Sequence, residues 1–216
     1  MHQSAALHGS LFLKRYAAPR GAGTILDIGS QDLNGSLRQF CPEGFSYVGL
    51  DFAAGKGVDV ILTDPYRFPF EDDQFDYVVS SSCFEHSQMF WLTFAEAIRV
   101  LKPDGVLYIN VPSNGPYHRY PTDNWRFYPD AGLALCEWGR RCGVDVQLIE
   151  SFIGAPLNDH WADFVACFGK SPAALAVNPG RMVFKAHGPT NIWFRKPEGG
   201  EPVFSPKLVA RETAKA

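Results

Sequence analysis

Thr24-Ile25-Leu26-Asp27-Ile28-Gly29-Ser30-Gln31-Asp32-Leu33-Asn34-Gly35-Ser36 is the stretch whose reading decides the fold. Ile25 to Ile28 reads as a buried strand, apolar except for Asp27. The chain then breaks at Gly29 into a small, polar loop. The spacing of Leu33, Leu37 and Phe40 predicts a helix with those side chains on one face. A strand that delivers a carboxylate and then a glycine into a helix start is the entrance of a nucleotide site. Gly29 permits close backbone approach and unusual dihedrals. Free N–H groups at the helix start can face a polar ligand. A second apolar strand, Tyr47-Val48-Gly49-Leu50-Asp51, also ends in an acid. Its distance from Gly29 is about that at which such folds place a ribose-binding carboxylate.

A dinucleotide fingerprint would place glycines at positions 31 and 34, where this chain has Gln31 and Asn34. A pyrophosphate loses its close-approach sites, which argues against NAD or FAD. A ligand without phosphates does not need those glycines. Asp27-Ile28-Gly29 followed by Asp51 resembles the first two motifs of the class I S-adenosylmethionine-dependent methyltransferases. The family's usual glycine-rich turn has further glycines where this chain has Gln31 and Leu33, so the loop should take a different path.

The pattern downstream extends the resemblance. Val58 to Leu62 reads as a third strand, ending at Thr63-Asp64-Pro65. Phe68-Pro69-Phe70, an acidic turn and Phe75-Asp76 precede a fourth, Tyr77 to Ser80. Residues 88–101 read as a helix with Trp91, Phe94, Ala95, Ile98 and Leu101 on one face and a Glu96–Arg99 pair. Leu101-Lys102-Pro103-Asp104-Gly105 turns into a fifth strand, Val106 to Val111. The alternation of strand and helix argues for a parallel sheet wound on both faces. A helix over about 129–142 carries Leu133, Leu135, Cys136 and Trp138, and strands at 144–152 and 163–168 follow. The resemblance implies a Rossmann-like α/β fold: a seven-stranded, mostly parallel sheet with helices on both faces and the seventh strand antiparallel.

The expected organisation is an N-terminal helix and linker (1–23), a methyltransferase domain (24–169) and a partly irregular C-terminal arm (170–216). Residues 4–17 read as an amphipathic helix capped by Ser4, with Leu7, Leu11 and Tyr16 at helical spacing. It is expected either to lie over the cofactor mouth or to pack on the sheet edge. The arm should hold one or two short strands in patches such as Met182-Val183-Phe184 and Ile192-Trp193-Phe194, and its last ten residues should be disordered.

The composition bounds partners and compartment. The 216 residues are 46% hydrophobic and 20% charged, with a formal net charge of -3. The near-neutral balance and the lack of a basic run argue against a nucleic-acid partner. The five cysteines are an odd number without metal-like C-x-x-C spacing, and read as reduced cytosolic thiols. No apolar run approaches a membrane span, and the N-terminus is a poor signal peptide. The expectation is a cytoplasmic protein with no membrane partner; the oligomeric state is left open.

Candidate chemistry follows from the resemblance. Asp27 should orient the methionine end of S-adenosylmethionine, with Gly29 giving close approach beside Ser30 and Ser81. Asp51, with Phe52 beside it, should accept from both ribose hydroxyls, and Asp64 from the adenine amino group. The competing reading of Asp51 and Asp64 is a loop cap or turn acid, and it weighs more on Asp64 than on Asp51. On the acceptor side, Ser80-Ser81-Ser82-Cys83-Phe84-Glu85-His86 follows the fourth strand, at the edge where ligands bind in open α/β sheets. His86 has a neutral imidazole near pH 7 and can take a proton, or it can pair structurally with Glu85. Cys83 reads as a small buried thiol, not a nucleophile.

Pro116 to Tyr128 interleaves polar groups with aromatic rings and should sit beside the methyl group. Tyr117, Arg119, Trp125 and Arg126 are candidates to bind the acceptor, and His118 with Asp123 is a candidate base pair. The competing reading is a self-packed lid with Trp125 and Phe127 as core. His118, Asp123, His160 and Asp163 lack metal-ligand spacing, so no metal is expected.

The leading expectation is therefore a small-molecule methyltransferase that converts S-adenosylmethionine to S-adenosylhomocysteine. Its acceptor atom would be an oxygen, or a nitrogen, of a sugar-like or secondary-metabolite compound. The alternatives are a non-catalytic S-adenosylmethionine-binding module and a methyltransferase acting on a macromolecule.

Overall fold

The decisive stretch folds as a strand, β1 (Gly23–Ile28), but not into a strand–helix unit. In the computed structural model, which describes residues 2–207, the segment after β1 is a loop closed by one 3-10 turn, Leu37–Phe40. Its own side chains explain the missing helix. The Asp32 carboxylate accepts the Gly35 amide at 2.8 Å, and Ser36 Oγ accepts the Arg38 amide at 3.1 Å. Such local bonds compete with the helix ladder. Gly35 adopts φ +118°, outside any helical region, and Pro42 follows the turn closely. Leu33 consequently lies exposed, while Leu37 is buried.

The remaining elements are β2 (Phe45–Asp51), β3 (Val60–Ile61), β4 (Phe75–Ser81), α2 (Phe90–Val100), β5 (Leu101–Pro112), α3 (Ala131–Arg141), β6 (Gln147–Gly154), β7 (Asp163–Gly169), α4 (Pro172–Val177), β8 (Thr190–Phe194) and β9 (Val203–Lys207), with α1 (Gln3–Phe12) in front. The strands form one sheet in the order β3-β2-β1-β4-β5-β7-β6-β8-β9. β3, β2, β1, β4 and β5 pair in parallel. β7 runs antiparallel between β5 and β6, as expected of a seventh strand. The sheet then exceeds the expected seven strands. β8, built on Ile192-Trp193-Phe194, pairs with β6, and β9 pairs with β8. The Met182–Phe184 patch forms part of a turn instead. The expectation for the last ten residues falls, Lys207 apart, outside the described residues.

Period-two alternation divides the core between the two faces. Leu26, Ile28, Val78, Leu107 and Ile109 pack with Phe94, Ala97 and Ile98 of α2 and with Leu135 and Cys136 of α3. Ile25, Tyr77, Val79, Val106 and Tyr108 pack beneath Phe12 and Leu13 of the N-terminal helix and Ala174 of α4. On α2 the buried position is Ala97, not Ala95.

α1 starts at Gln3 behind His2, and Ser4 is buried in it without capping it. The helix continues into a π-helical turn, Leu13–Ala17. Phe12 stacks on Tyr16 and Tyr108, with ring centroids 5.1 and 4.8 Å apart, so the helix lies on the sheet. All five cysteines are free thiols. Among the described residues no helix is long and apolar enough to cross a membrane.

Candidate active site

The chain passes from β1 outward to β2 and β3, then returns to the other side of β1 as β4. The carboxyl ends of β1 and β4 thus flank a topological switch point, where open α/β sheets hold ligands. A cavity of about 840 Å³ opens there.

One end of the cavity is built by β1 and β2. Asp27, Gly29, Ser30, Asp51, Phe52 and Ser81 all line it, as their place in the sequence led one to expect. Gly29 sits at φ +79°, and a Cβ there would come within 2.6 Å of the Cys83 Cβ. The turn after β1 can therefore press against the turn after β4 only with glycine at this position. The amides of Gly29 and Ser30 both donate to the Leu50 carbonyl, at 2.9 and 3.2 Å. They are not the free helix-start donors expected for a ligand, because no α-helix begins there.

Asp51 is buried and accepts from the Gln31 and Ala53 amides, one on each oxygen, both at 3.2 Å. Each oxygen keeps a lone-pair direction for a further donor, which suits a diol. Asp27 accepts from the Tyr47 hydroxyl at 2.8 Å. Burial pushes its carboxyl up to about 7, against the Tyr47 bond and the nearby Arg38 charge. The hydroxyls of Ser30, Ser81 and Ser82 are buried without protein partners. Buried polar groups are ordinarily hydrogen-bonded, so three orphans beside two buried carboxylates mark a place for a polar ligand.

Asp64 is not in the lining. Thr63, Pro65 and Tyr66 reach the cavity, while the Asp64 carboxylate accepts the Tyr66 amide at 2.9 Å. The side chain serves its own turn, the cap role weighed above.

The opposite end comes from the turn after β4 and the loop after β5. The loop is stitched to that turn. The amides of Asn124 and Trp125 donate to the Glu85 carbonyl at 2.8 and 3.2 Å, and Thr122 Oγ1 donates to the His86 carbonyl at 2.9 Å. Trp125 donates from its indole to the Ser87 carbonyl at 2.9 Å and packs edge-on against Phe90 and Trp91. Arg126 grips both Asp123 oxygens, at 2.6 and 2.8 Å. The lid reading thus holds for part of the loop: Phe127 is buried as core, whereas Trp125 is exposed and is not. Tyr117, Asp123, Trp125 and Arg126 lie outside the cavity lining, whereas His118, Arg119, Tyr120, Pro121 and Thr122 belong to it. The expected His118–Asp123 base pair is loose, with His118 Nδ1 at 3.4 Å from the carboxylate. Asp123 instead accepts the His118 amide at 2.7 Å, and its bonds to Arg126 hold it at about 2.

His86 and His118 both line the cavity, their rings meeting edge to face with centroids 5.0 Å apart. Burial holds the His86 imidazole below its ordinary range. Glu85 lies beside them, 1% exposed, and burial pushes its carboxyl up to about 8. Burial also pushes the Cys83 thiol up, which agrees with an inert thiol.

Sequence reasoning named Glu85 only as a partner of His86, and overlooked Trp161, Tyr120, Gln31 and His2, all of which line the cavity. Tyr120 donates to Gln31 Oε1 at 2.9 Å, joining the β5 loop to the β1 loop. Trp161 packs on His118 with centroids 4.9 Å apart. A signal for Trp161 existed. An antiparallel β7 begins where the parallel strands end, so the residues before it fall at the ligand edge. Asp163, fully buried at that point, takes His2 Nε2 at 2.7 Å and His8 Nδ1 at 3.2 Å. Burial would raise its carboxyl, but these bonds overcome it and hold it well below the usual range. α1 is thereby fixed with its start at the cavity mouth, and it packs on the face of the central strands, not on the sheet edge that was the alternative expectation.

Residues 26–109 match the family described as Methyltransferase domain. A phthiotriol/phenolphthiotriol dimycocerosates methyltransferase of Mycobacterium ulcerans is 38% identical over 88 residues, 38% of this chain and 28% of that protein. Phosphoethanolamine N-methyltransferase 2 of Caenorhabditis elegans is 29% identical over 118 residues, 48% of this chain and 27% of that protein. Each match thus spans little more than a quarter of the relative's length. Among solved structures, the Burkholderia thailandensis 1,6-didemethyltoxoflavin-N1-methyltransferase, with its substrate and S-adenosylhomocysteine bound, superposes with a TM-score of 0.60 at 15% identity. That superposition covers 78% of this chain and 79% of the other.

Proposed function

We infer, from the chain's membership of the class I S-adenosylmethionine-dependent methyltransferases, that it transfers a methyl group to an oxygen or nitrogen of a small-molecule acceptor. The observation that carries this reading is the arrangement of the cavity. Two buried carboxylates, Asp27 and Asp51, stand at the ends of adjacent strands on one side, and Glu85, His86 and His118 stand on the other. The names of the similar proteins support a small acceptor, and the aromatic lining from Tyr120 and Trp161 favours a sugar-like or ring-bearing metabolite.

S-adenosylmethionine supplies a methyl group made electrophilic by its sulfonium. The residues present fit that cofactor. Asp51 has free acceptor positions for a ribose diol, and the orphaned hydroxyls of Ser30, Ser81 and Ser82 suit the polar methionine end. Asp27, which lines the same end of the cavity, would meet the ammonium. The histidine end must position the acceptor at near-attack distance and provide for loss of its proton. Formation of S-adenosylhomocysteine with a panel of small hydroxyl and amine acceptors tests the assignment. No protein-dependent turnover with any acceptor would leave the non-catalytic binding module as the better account.

Asp51→Ala is expected to weaken S-adenosylhomocysteine binding by about 1–3 kcal/mol, the effect of stranding polar partners. Isothermal titration reads it directly. An unchanged affinity in a folded variant removes Asp51 from the site.

Asp27 gives the cofactor site a pH signature. Its folded-state carboxyl lies near 7, raised by burial, so the protein without ligand holds this proton to near neutrality. Because the raised value favours the protonated folded form, Asp27 weakens stability progressively as pH rises from about 4 to about 7. A ligand ammonium stabilises the ionised carboxylate and lowers that value. Binding must then release a proton below about pH 7, and affinity should rise by up to about tenfold per unit from pH 5.5 to 7 before levelling. Titrations in two buffers of different ionisation enthalpy measure the released proton. Asp27→Asn should abolish the slope; a slope that survives the substitution assigns it to another group.

A further inference from the structure

We propose that Glu85, His86 and His118 form a binding site for a divalent transition-metal ion of the Zn²⁺ class at the acceptor end of the cavity. The three residues bring one carboxylate oxygen and two imidazole nitrogens within 4.8 Å of one another. They arrive from two different elements, the turn after β4 and the loop after β5, which the hydrogen bonds between residues 85–87 and 122–125 hold together.

Three details go beyond proximity. Glu85 is almost wholly buried, yet its Oε2 has no protein partner. A buried carboxylate oxygen without a donor lacks the cation or proton that would make its burial tolerable. Glu85 Oε1 stands 3.7 Å from His86 Nε2, too far for a hydrogen bond. Two ligands bound tetrahedrally at about 2.0–2.1 Å from one ion lie about 3.3 Å apart, so a small closure of the pair admits an ion between them.

The second nitrogen of the His86 ring is already oriented. His86 Nδ1 contacts the Thr122 carbonyl, and His118 Nδ1 faces Asp123 at 3.4 Å. Arg126 Nη2 also approaches that His118 nitrogen, at 3.4 Å, but its two hydrogens already serve Asp123 and the Pro116 carbonyl, at 2.8 and 2.7 Å. The His86 nitrogen turned to a carbonyl leaves its partner nitrogen free as a ligand, the usual outer arrangement around metal-bound histidine.

The donor set selects the metal. Two imidazoles with one carboxylate suit Zn²⁺, Fe²⁺, Co²⁺ or Ni²⁺, whereas Mg²⁺ and Ca²⁺ prefer oxygen. Three protein ligands leave at least one position open, and all three line the cavity, so that position faces the acceptor space. The acceptor class that fits is one with a hydroxyl able to reach the ion, an alcohol or a phenol. In that role the ion would acidify the hydroxyl, whose proton leaves to solvent. The oxygen then forms the new C–O bond as the C–S bond breaks and its electron pair stays on sulfur. Metal binding stands on the cluster alone; only its use on an acceptor rests on the transfer reading above.

The test uses the full chain, tag removed and stripped with chelator, titrated with Co²⁺ and then Zn²⁺. The expected result is about one ion per chain, a visible Co²⁺ spectrum of low coordination number, and displacement by Zn²⁺. His118→Ala and His86→Ala should each weaken Co²⁺ at least about tenfold, and Glu85→Gln likewise. Circular dichroism reports whether each variant folds, and His118→Ala, in the loop, serves if Glu85→Gln does not. Cys83→Ser should leave the Co²⁺ spectrum unchanged. No stoichiometric binding, unchanged affinity in folded histidine variants, or a thiolate band lost in Cys83→Ser would each overturn the site. S-adenosylhomocysteine titrated in parallel keeps the two claims apart. Its failure to bind with Co²⁺ still bound would sink the methyltransferase reading and leave the metal site standing.

Discussion

His118→Ala is expected to lower methyl-transfer turnover by about 10²–10⁴-fold while leaving S-adenosylhomocysteine affinity within about 0.5 kcal/mol. The split follows from where each end of the cavity comes from. The carboxylates expected to hold the donor stand on the turns after β1 and β2, whereas His118 stands on the loop after β5, against His86 and Trp161. The size of the loss is that of removing a group that manages the acceptor's proton. The direction is the same whether the ring takes that proton or holds an ion that acidifies the hydroxyl, and the Co²⁺ titration distinguishes the two. His86→Ala should disturb both quantities. It lies three residues after Cys83, and the Cys83 side chain is what Gly29 packs against. Full turnover of His118→Ala at saturating acceptor would remove His118 from the chemistry and leave proximity, or His86, as the account.

The sheet was legible because its signals were local. Each buried strand was a short apolar run with a turn after it, and the acids and prolines between them carried the family resemblance that implied the topology. The failures also have local causes. Leu33, Leu37 and Phe40 mimic a helical stripe, but Asp32, Gly35 and Ser36 give the backbone other partners. The arm's strand at Ile192-Trp193-Phe194 was legible as an apolar patch, but its place in the sheet was not, because a strand that joins the far side of β6 is positioned by pairing across the sheet and not by its own pattern.

The cavity shows the same division. Asp27, Gly29 and Asp51 could be placed from sequence since each follows directly from the end of a strand. Asp64 could not be placed so well, because a turn acid can point outward to its own amides as readily as inward. In the loop after β5, composition identified an aromatic and polar segment without revealing which alternate side chains face in. Trp125 and Arg126 bind the loop to the body, and Arg119 and Tyr120 reach the cavity instead. Glu85 was visible as half of a Glu-His pair. Its importance depends on an unpartnered buried oxygen, which only tertiary structure can show.

Asp123→Ala is expected to destabilise the protein by about 3 kcal/mol, through loss of the loop's anchor. Asp123 has a side chain only 2% exposed, bonded to both reaching nitrogens of Arg126 and to the His118 amide. Removing one partner of a buried pair typically costs about 3–5 kcal/mol, since the other charge is left without compensation. The lower end applies here because Arg126 is 19% exposed and can turn partly to water. For a domain of this size the change corresponds to a fall in Tm of roughly 6–12 °C. Arg126→Ala leaves the buried carboxylate alone and should be comparably harmful. The double variant should be less destabilised than the sum of the two, and the difference in a denaturant-based cycle is the coupling of the pair. Turnover should fall in both single variants with little change in cofactor affinity, because the amide that positions His118 loses its acceptor or that acceptor loses its support. Additive effects, with Tm unchanged in Asp123→Ala, would mean that the loop is held by its backbone bonds to residues 85–87 alone.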